Sequence, residues 1–287
     1  MKYLFITDMD GTLLNEHSKI SLTSAQIISD LSRQGALITV ATARTPATVE
    51  PLLESVYTSL PAIVMTGAAM WDRNSRSYVN THPFAADTDC QILAAMRSEG
   101  LEPFVYTFFD GDLLLHVYRN SPMSDNDIKF MDERRVSGLK EFHIDQPMPE
   151  GGHTMLFFAM GPRDRIFAAA DKIRALGICS VSAFTDIFGE DTGIIELFAP
   201  GVSKASAVQA LKAETGADRL IVYGDNLNDL PMMAVADESV AVGNALPEVK
   251  SAATRVIGAN TEDAVARDIL HTITSSDTMM EHTAFLR

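Results

Sequence analysis

Tyr3-Leu4-Phe5-Ile6-Thr7-Asp8-Met9-Asp10-Gly11-Thr12-Leu13 runs from an apolar stretch straight into two carboxylates. The stretch Tyr3–Thr7 is continuous rather than alternating, as expected of a strand buried on both faces of a parallel sheet. In open α/β sheets ligands bind beyond the carboxyl ends of the strands, which is where Asp8 and Asp10 fall. Their spacing suits phosphoryl chemistry. One carboxylate can attack phosphorus and become an acyl phosphate, while the other protonates the leaving oxygen and later activates water. Gly11 lets the chain turn sharply without a Cβ clash. An EF-hand calcium loop would need Glu eleven residues after Asp8, and Lys19 stands there instead.

Working outward, further apolar runs at Ala36–Val40, Ala62–Met65, Leu220–Tyr223 and Ser239–Val242 read as buried parallel strands. Between the first two strands a helix is expected, with Thr23 and Gln26 at capping-box spacing and Gly35 at its end. Pro46 suits the first turn of a second helix running to about Tyr57, and Ser203 can cap a third ending near Gly216. Strand alternating with helix predicts an α/β fold, a doubly wound, mainly parallel sheet core. The middle of the chain differs. Pro103–Phe109 and Asp112–Tyr118 flank Asp110-Gly111, a hairpin signal. A helix near Ser124–Val136, a strand at Thr154–Met160, a helix at Arg163–Leu176 and strands at Ile178–Phe184 and Ile194–Phe198 follow. This order predicts an inserted α+β cap domain with an antiparallel sheet at 83–193, inside a core made of 1–82 and 194–287. The polar tail from about Thr274 is expected to be loosely ordered.

The chain has 287 residues, 46% hydrophobic and 21% charged, with a formal net charge of -15. Two domains are a fair expectation at that length. So acidic a surface argues against nucleic acid and anionic membranes as partners, and it obliges any phosphate site to supply its own positive charge. Two cysteines without CxxC spacing point to a reducing compartment. Residues 1–7 are too short for a signal peptide, and no apolar stretch reaches the ~18 residues of a membrane span. A cytoplasmic protein is expected; its oligomeric state is not legible.

Three further motifs stand at strand ends and helix starts. Thr42-Ala43-Arg44 precedes the helix at Pro46 and offers a hydroxyl and backbone N–H groups for a phosphate, though a Thr in a loop is commonly only a cap. Lys204 sits in the first turn of a helix, where a cation opposes the macrodipole, which singles it out as a candidate phosphate-binding charge, although a solvated surface lysine is the usual case for a lone Lys. Gly224-Asp225-Asn226-Leu227-Asn228-Asp229 follows a strand, and Asp225 there could join Asp8 around Mg²⁺, while Asp229 reads first as a helix cap. There is no GxSxG, Walker loop or HExxH. The seven histidines are scattered, and Trp71 and the run Phe104, Tyr106, Phe108, Phe109 read as packing residues.

Together these motifs resemble those of the haloacid dehalogenase superfamily, and within it the Cof-like, type IIB sugar-phosphate phosphatases. The resemblance covers nearly the whole chain. It implies Asp8 as nucleophile and Mg²⁺ ligand, and Asp10 as general acid/base with its carbonyl on the metal. It also implies Thr42, Ala43, Lys204 and Asn228 around the phosphoryl group, Arg44 toward the substrate, and Asp225 and Asp229 at the metal. Three departures stand out: Ala43 where the family carries Gly, Thr66-Gly67 for a frequent Asn-Gly, and Ala205 for Gly. The implied reaction is hydrolysis of a small phosphorylated metabolite. A phosphomutase shares the chemistry, and a non-catalytic phosphometabolite sensor would be expected to lack Asp8 or Asp10. Asp186, Glu190 and Asp191 are candidates to face sugar hydroxyls, with solvated loop charges the simpler reading.

Overall fold

A computed structural model of the chain describes residues 1–135, 138–185 and 191–284. Its central sheet has the strand order Arg255–Val256, Glu238–Ala241, Arg219–Gly224, Tyr3–Thr7, Leu37–Val40, every pairing parallel. Leu4, Phe5 and Ile6 are all buried, so both faces of the sheet are covered, as a continuous apolar run requires. The doubly wound expectation is borne out. Asp186 and Glu190 lie outside the described residues, and Asp191 is exposed.

Local corrections have local causes. Ser21, not Thr23, caps the first helix, Leu22–Arg33, by accepting the Ser24 N–H. The helix from Pro46 ends at Leu52 rather than near Tyr57, because Pro51 inside it has no N–H to continue the ladder. Ala62–Val64 touches the parallel sheet through one bridge, Ala41 to Ile63. Its regular partner is Ala69–Asp72, antiparallel, which pairs in turn with Ser77–Val79. The final helix, Ala264–Ala284, continues through the tail expected to be loose.

The insert is a six-stranded sheet ordered Ser180–Thr185, Thr192–Phe198, His153–Pro162, Phe104–Phe108, Leu115–Arg119, Lys140–Ile144. Its pairings are antiparallel except the last, which is parallel, so the all-antiparallel expectation fails at that edge. Residue 194, where the second core segment was expected to open, lies inside a strand of this sheet. Helices Thr88–Ser98 and Arg163–Leu176 cover one face, packing Ile92, Met96 and Ile166 against Val105, Phe157 and Leu197. The other face, with Phe104, Tyr106, Val117 and Phe158, joins the apolar body of the parallel-sheet domain. It therefore faces that domain, where Tyr78 stacks on Phe108 at 5.8 Å. Among the described residues no helix is long and apolar enough to cross a membrane.

Met65, Thr66 and Gly67 all adopt positive φ, at 47°, 57° and 95°. Gly67 has a second constraint, since a Cβ there would come within 2.4 Å of the Ser203 carbonyl oxygen. Thr66 is the strained member, because a β-branched residue is disfavoured in the left-handed region and Asn is not. We expect Gly67→Ala to lower stability by about 2–4 kcal/mol and Thr66→Asn to raise it by about 0.5–1 kcal/mol. Urea unfolding of both variants checks the pair of signs; a neutral Gly67→Ala would show that the approach to Ser203 relaxes freely.

Candidate active site

The central strands deliver their carboxyl ends to one place. Asp8 follows Tyr3–Thr7 directly, its N–H bonded to the Tyr223 carbonyl of the neighbouring strand at 3.0 Å. Lys204 enters from the first turn of the helix Lys204–Thr215, whose N-cap is Ser203, as expected. Its Nζ donates to Asp8 Oδ1 at 2.5 Å and to Asp229 Oδ1 at 2.8 Å. All three side chains are buried. The other oxygen of Asp229 accepts the N–H groups of Asp225 and Asn226, at 3.1 and 3.2 Å. Asp229 thus closes the turn Leu227–Asp229 and is a buried partner of Lys204, while its side chain makes no cap bond to the helix Leu230–Ala234 that the sequence suggested it would cap. Asp225 accepts the Thr12 hydroxyl at 2.9 Å. Gly11, at φ 76°, packs so closely on Asp225 that a Cβ would lie 2.4 Å from its Oδ2.

Oxygens of Asp8, Asp225 and Asp229 all lie within 4.8 Å of one another. Three carboxylates therefore share one ammonium in a buried place. Burial pushes Asp8 up to about 7 against the pull of Lys204, with Asp229 and Asp225 adding to the rise. Burial likewise lifts Asp225 to about 6, opposed by the Thr12 hydroxyl and helped by Asp229. Burial would depress Lys204, but Asp8 and Asp229 outweigh it and hold its ammonium above the ordinary lysine value. Hard carboxylate oxygens with surplus negative charge fit a divalent cation such as Mg²⁺.

The remaining candidates form a rim. Asp10 is half-exposed and bonded through both oxygens to Arg44, Nε to Oδ2 at 2.7 Å and Nη2 to Oδ1 at 2.6 Å. That pair was not expected. Thr42 is buried, its hydroxyl oxygen accepting the Arg44 N–H at 3.2 Å and its own N–H bonded to the Ile63 carbonyl at 3.0 Å. Ala43 is exposed, and its N–H makes no hydrogen bond among the described residues. Asn228 is exposed on the turn Leu227–Asp229, apart from the buried cluster. Two side chains that shape the site were missed. Thr12 lay inside the first motif, whereas Asn244, which donates to the Gly11 carbonyl at 2.7 Å, carried no sequence signal. Two of the scattered histidines also meet. On the opposite face of the insert's sheet from Tyr106, His116 Nδ1 lies 2.9 Å from His143 Nε2, with Glu141 beside them.

The pattern of the family described as haloacid dehalogenase-like hydrolase matches residues 5–269. The chain belongs to this family. Among its curated relatives, the HMP-PP phosphatase of Serratia proteamaculans is 25% identical, covering 93% of this chain and 94% of its own. The 5-amino-6-(5-phospho-D-ribitylamino)uracil phosphatase YcsE of Bacillus subtilis is 26% identical, with the same coverages of 93% and 94%. The solved structure of the HAD subclass IIB sugar phosphatase BT4131 superposes with a TM-score of 0.69 at 16% identity, covering 95% of this chain and 99% of that one. The resemblance read from the motifs is borne out: this haloacid dehalogenase-like hydrolase is an enzyme, and its named relatives include several phosphatases.

With folded-state values near 7 and 6, Asp8 and Asp225 keep protons that the unfolded chain, near 3.8, has released. Their contribution to stability is therefore present at low pH and lost as pH rises through those values. In EDTA we expect the thermal midpoint to fall from about pH 5 to about pH 8, and the rise on adding Mg²⁺ to grow over the same interval, because the cation must displace those protons. Scanning calorimetry with and without Mg²⁺ checks this; a pH-independent Mg²⁺ shift would contradict it.

Proposed function

We propose that the protein hydrolyses a small phosphate monoester, with sugar phosphates the leading class, in a Mg²⁺-dependent reaction through an aspartyl phosphate on Asp8. The observation that carries this reading is the buried Lys204 ammonium clamped between Asp8 and Asp229. It holds Asp8 Oδ1 and leaves Oδ2 to attack, and its charge lets an anionic nucleophile approach an anionic ester. When bound, Mg²⁺ would be held by Asp8, the Asp10 carbonyl and Asp225, with Asp229 supporting them, and would neutralise charge on the phosphoryl oxygens. Thr42, the free N–H of Ala43 and Asn228 would receive the transferred group.

Asp10 would protonate the leaving oxygen and then take a proton from the water that cleaves the acyl phosphate. With both Asp10 oxygens occupied by Arg44, that transfer requires the pair to part. An incoming phosphate dianion competes for the same guanidinium fork. Arg44 would then turn to the substrate and release Asp10 at the moment a proton donor is needed. The phosphatase names of the relatives and the sugar phosphatase fold neighbour support the substrate class. Free Cys90 and Cys179 agree with a reducing compartment, the cytoplasm in this reading.

Phosphate release from a panel of sugar phosphates and p-nitrophenyl phosphate tests the proposal. Asp8→Asn should lose at least about 10⁴-fold in kcat and Asp10→Asn about 10²–10⁴-fold, with EDTA silencing the wild type. Metal-dependent turnover retained by Asp8→Asn would remove the nucleophile assignment.

A further inference from the structure

Lys140 opens the edge strand of the insert's sheet and is 7% exposed. Among the described residues its ammonium has no hydrogen-bond or carboxylate partner; it lies 5.3 Å from the Tyr106 ring centre and 6.0 Å from that of Phe142. Buried lysines without a counter-charge are rare, since the ammonium gives up hydration for nothing in return. The charge that acts on it, Arg134, has the same sign. Burial, and then Arg134, pull the Lys140 ammonium down to about 7. Arg134, from the helix Asp125–Arg134, lies with its guanidinium carbon 3.9 Å above the Phe130 ring. Its one acidic neighbour is Glu133, at 3.4 Å and largely exposed.

The register shows where these cations point. Lys140 stands opposite Leu115, and Phe142 opposite Val117, which pairs with Tyr106. Phe104 and Glu196 both stand opposite Phe158. Lys140, Tyr106 and Glu196 therefore share the sheet face that turns to the catalytic domain, and Phe130 stacks on Phe158 at 4.5 Å to bring Arg134 onto it. Two electrostatic links cross the seam: Arg134 is close enough to Arg44 to be repelled by it, and Glu196 close enough to Lys204 to be stabilised by it. Arg134 thus stands toward the Arg44 side of the site, with Lys140 behind it on the same sheet face, while Glu196 stands toward Lys204.

We propose that Lys140 and Arg134 form an anion subsite on the inner face of the cap, so that the preferred substrate carries a second anionic group, phosphate or carboxylate, at the end of its leaving group away from the scissile phosphate. This deepens the phosphatase reading and rests on it. In a chain of net charge -15, a buried lysine with no carboxylate partner among the described residues, beside a half-buried arginine, costs stability that an anionic ligand would recover. A lysine that merely covers apolar surface would instead carry its head out to bulk water.

The test is calorimetric binding to full-length Asp8→Asn with Mg²⁺, using glucose 6-phosphate, 6-phosphogluconate and glucose 1,6-bisphosphate. These share a six-carbon frame and differ chiefly in the second anion. The two doubly anionic ligands should bind about ten- to a hundred-fold more tightly than glucose 6-phosphate. Lys140→Met added to Asp8→Asn should erase most of that margin, and Lys140→Arg should keep it. A margin for only one of the two assigns the subsite to carboxylate or to phosphate. Equal affinities, no measurable binding of either doubly anionic ligand, or an undiminished margin in Lys140→Met would overturn the proposal. In otherwise wild-type protein, Lys140→Met should raise KM for a doubly anionic substrate while leaving p-nitrophenyl phosphate turnover within about two-fold. A wild type inert toward every ester, p-nitrophenyl phosphate included, overturns the hydrolase reading alone, because the binding comparison needs no chemistry.

Discussion

One buried ammonium holds the carboxyl ends of the central strands together. Lys204 reaches Asp8 at the end of the first strand and Asp229 in the turn after the strand Arg219–Gly224. Without it, carboxylates from two neighbouring strand ends would face each other in a space too enclosed for water to screen them. The helix that carries Lys204 is fixed in turn by Ser203, whose side chain caps it and whose carbonyl oxygen rests against Gly67. The hairpin after Ala62–Val64 is thereby seated against the same helix start. Charge balance at the site and packing around it are set by the same few residues.

Around this fixed centre the structure separates two tasks. The inner set, with Asp8, Lys204 and Asp229 buried and Asp225 partly so, is held by hydrogen bonds at strand and helix ends. The rim, Asp10 with Arg44, is half-exposed and joined by an ion pair that a competing anion can open. The inner face of the insert's sheet adds aromatic rings and Lys140, which has no carboxylate partner among the described residues. Groups held by strand and helix ends thus stand inside a rim that can rearrange, and in the proposed reaction Asp10 acts from that rim.

The sequence exposed the first task better than the second. Asp8, Asp10, Lys204 and Asp225 could be found because each follows a strand or opens a helix within a few residues of a recognisable signal. The Ser21 cap was ambiguous, since Ser21, Thr23 and Ser24 are all competent within four positions. The Asp10–Arg44 pair links residues 34 apart on adjacent strand ends, and no local pattern encodes it. Lys140-Glu141-Phe142-His143-Ile144 does alternate, but amid polar sequence that alternation is faint, and the parallel pairing that seats it is a long-range choice. A lysine's lack of a partner is a property of three-dimensional surroundings and leaves no trace in one dimension.

The placement of Tyr3–Thr7 has a consequence for how the protein is made. One neighbour, Leu37–Val40, follows within a few dozen residues, whereas the other, Arg219–Gly224, lies beyond the whole insert. During synthesis the first strand must wait, with one edge unmatched, while more than about two hundred residues leave the ribosome. The cap has its own layer of helices and its own apolar cluster, so it can gather itself in the meantime. The nascent chain thus passes through a stage with a finished cap and an open-edged half sheet, and that edge is what a chaperone would be expected to shield.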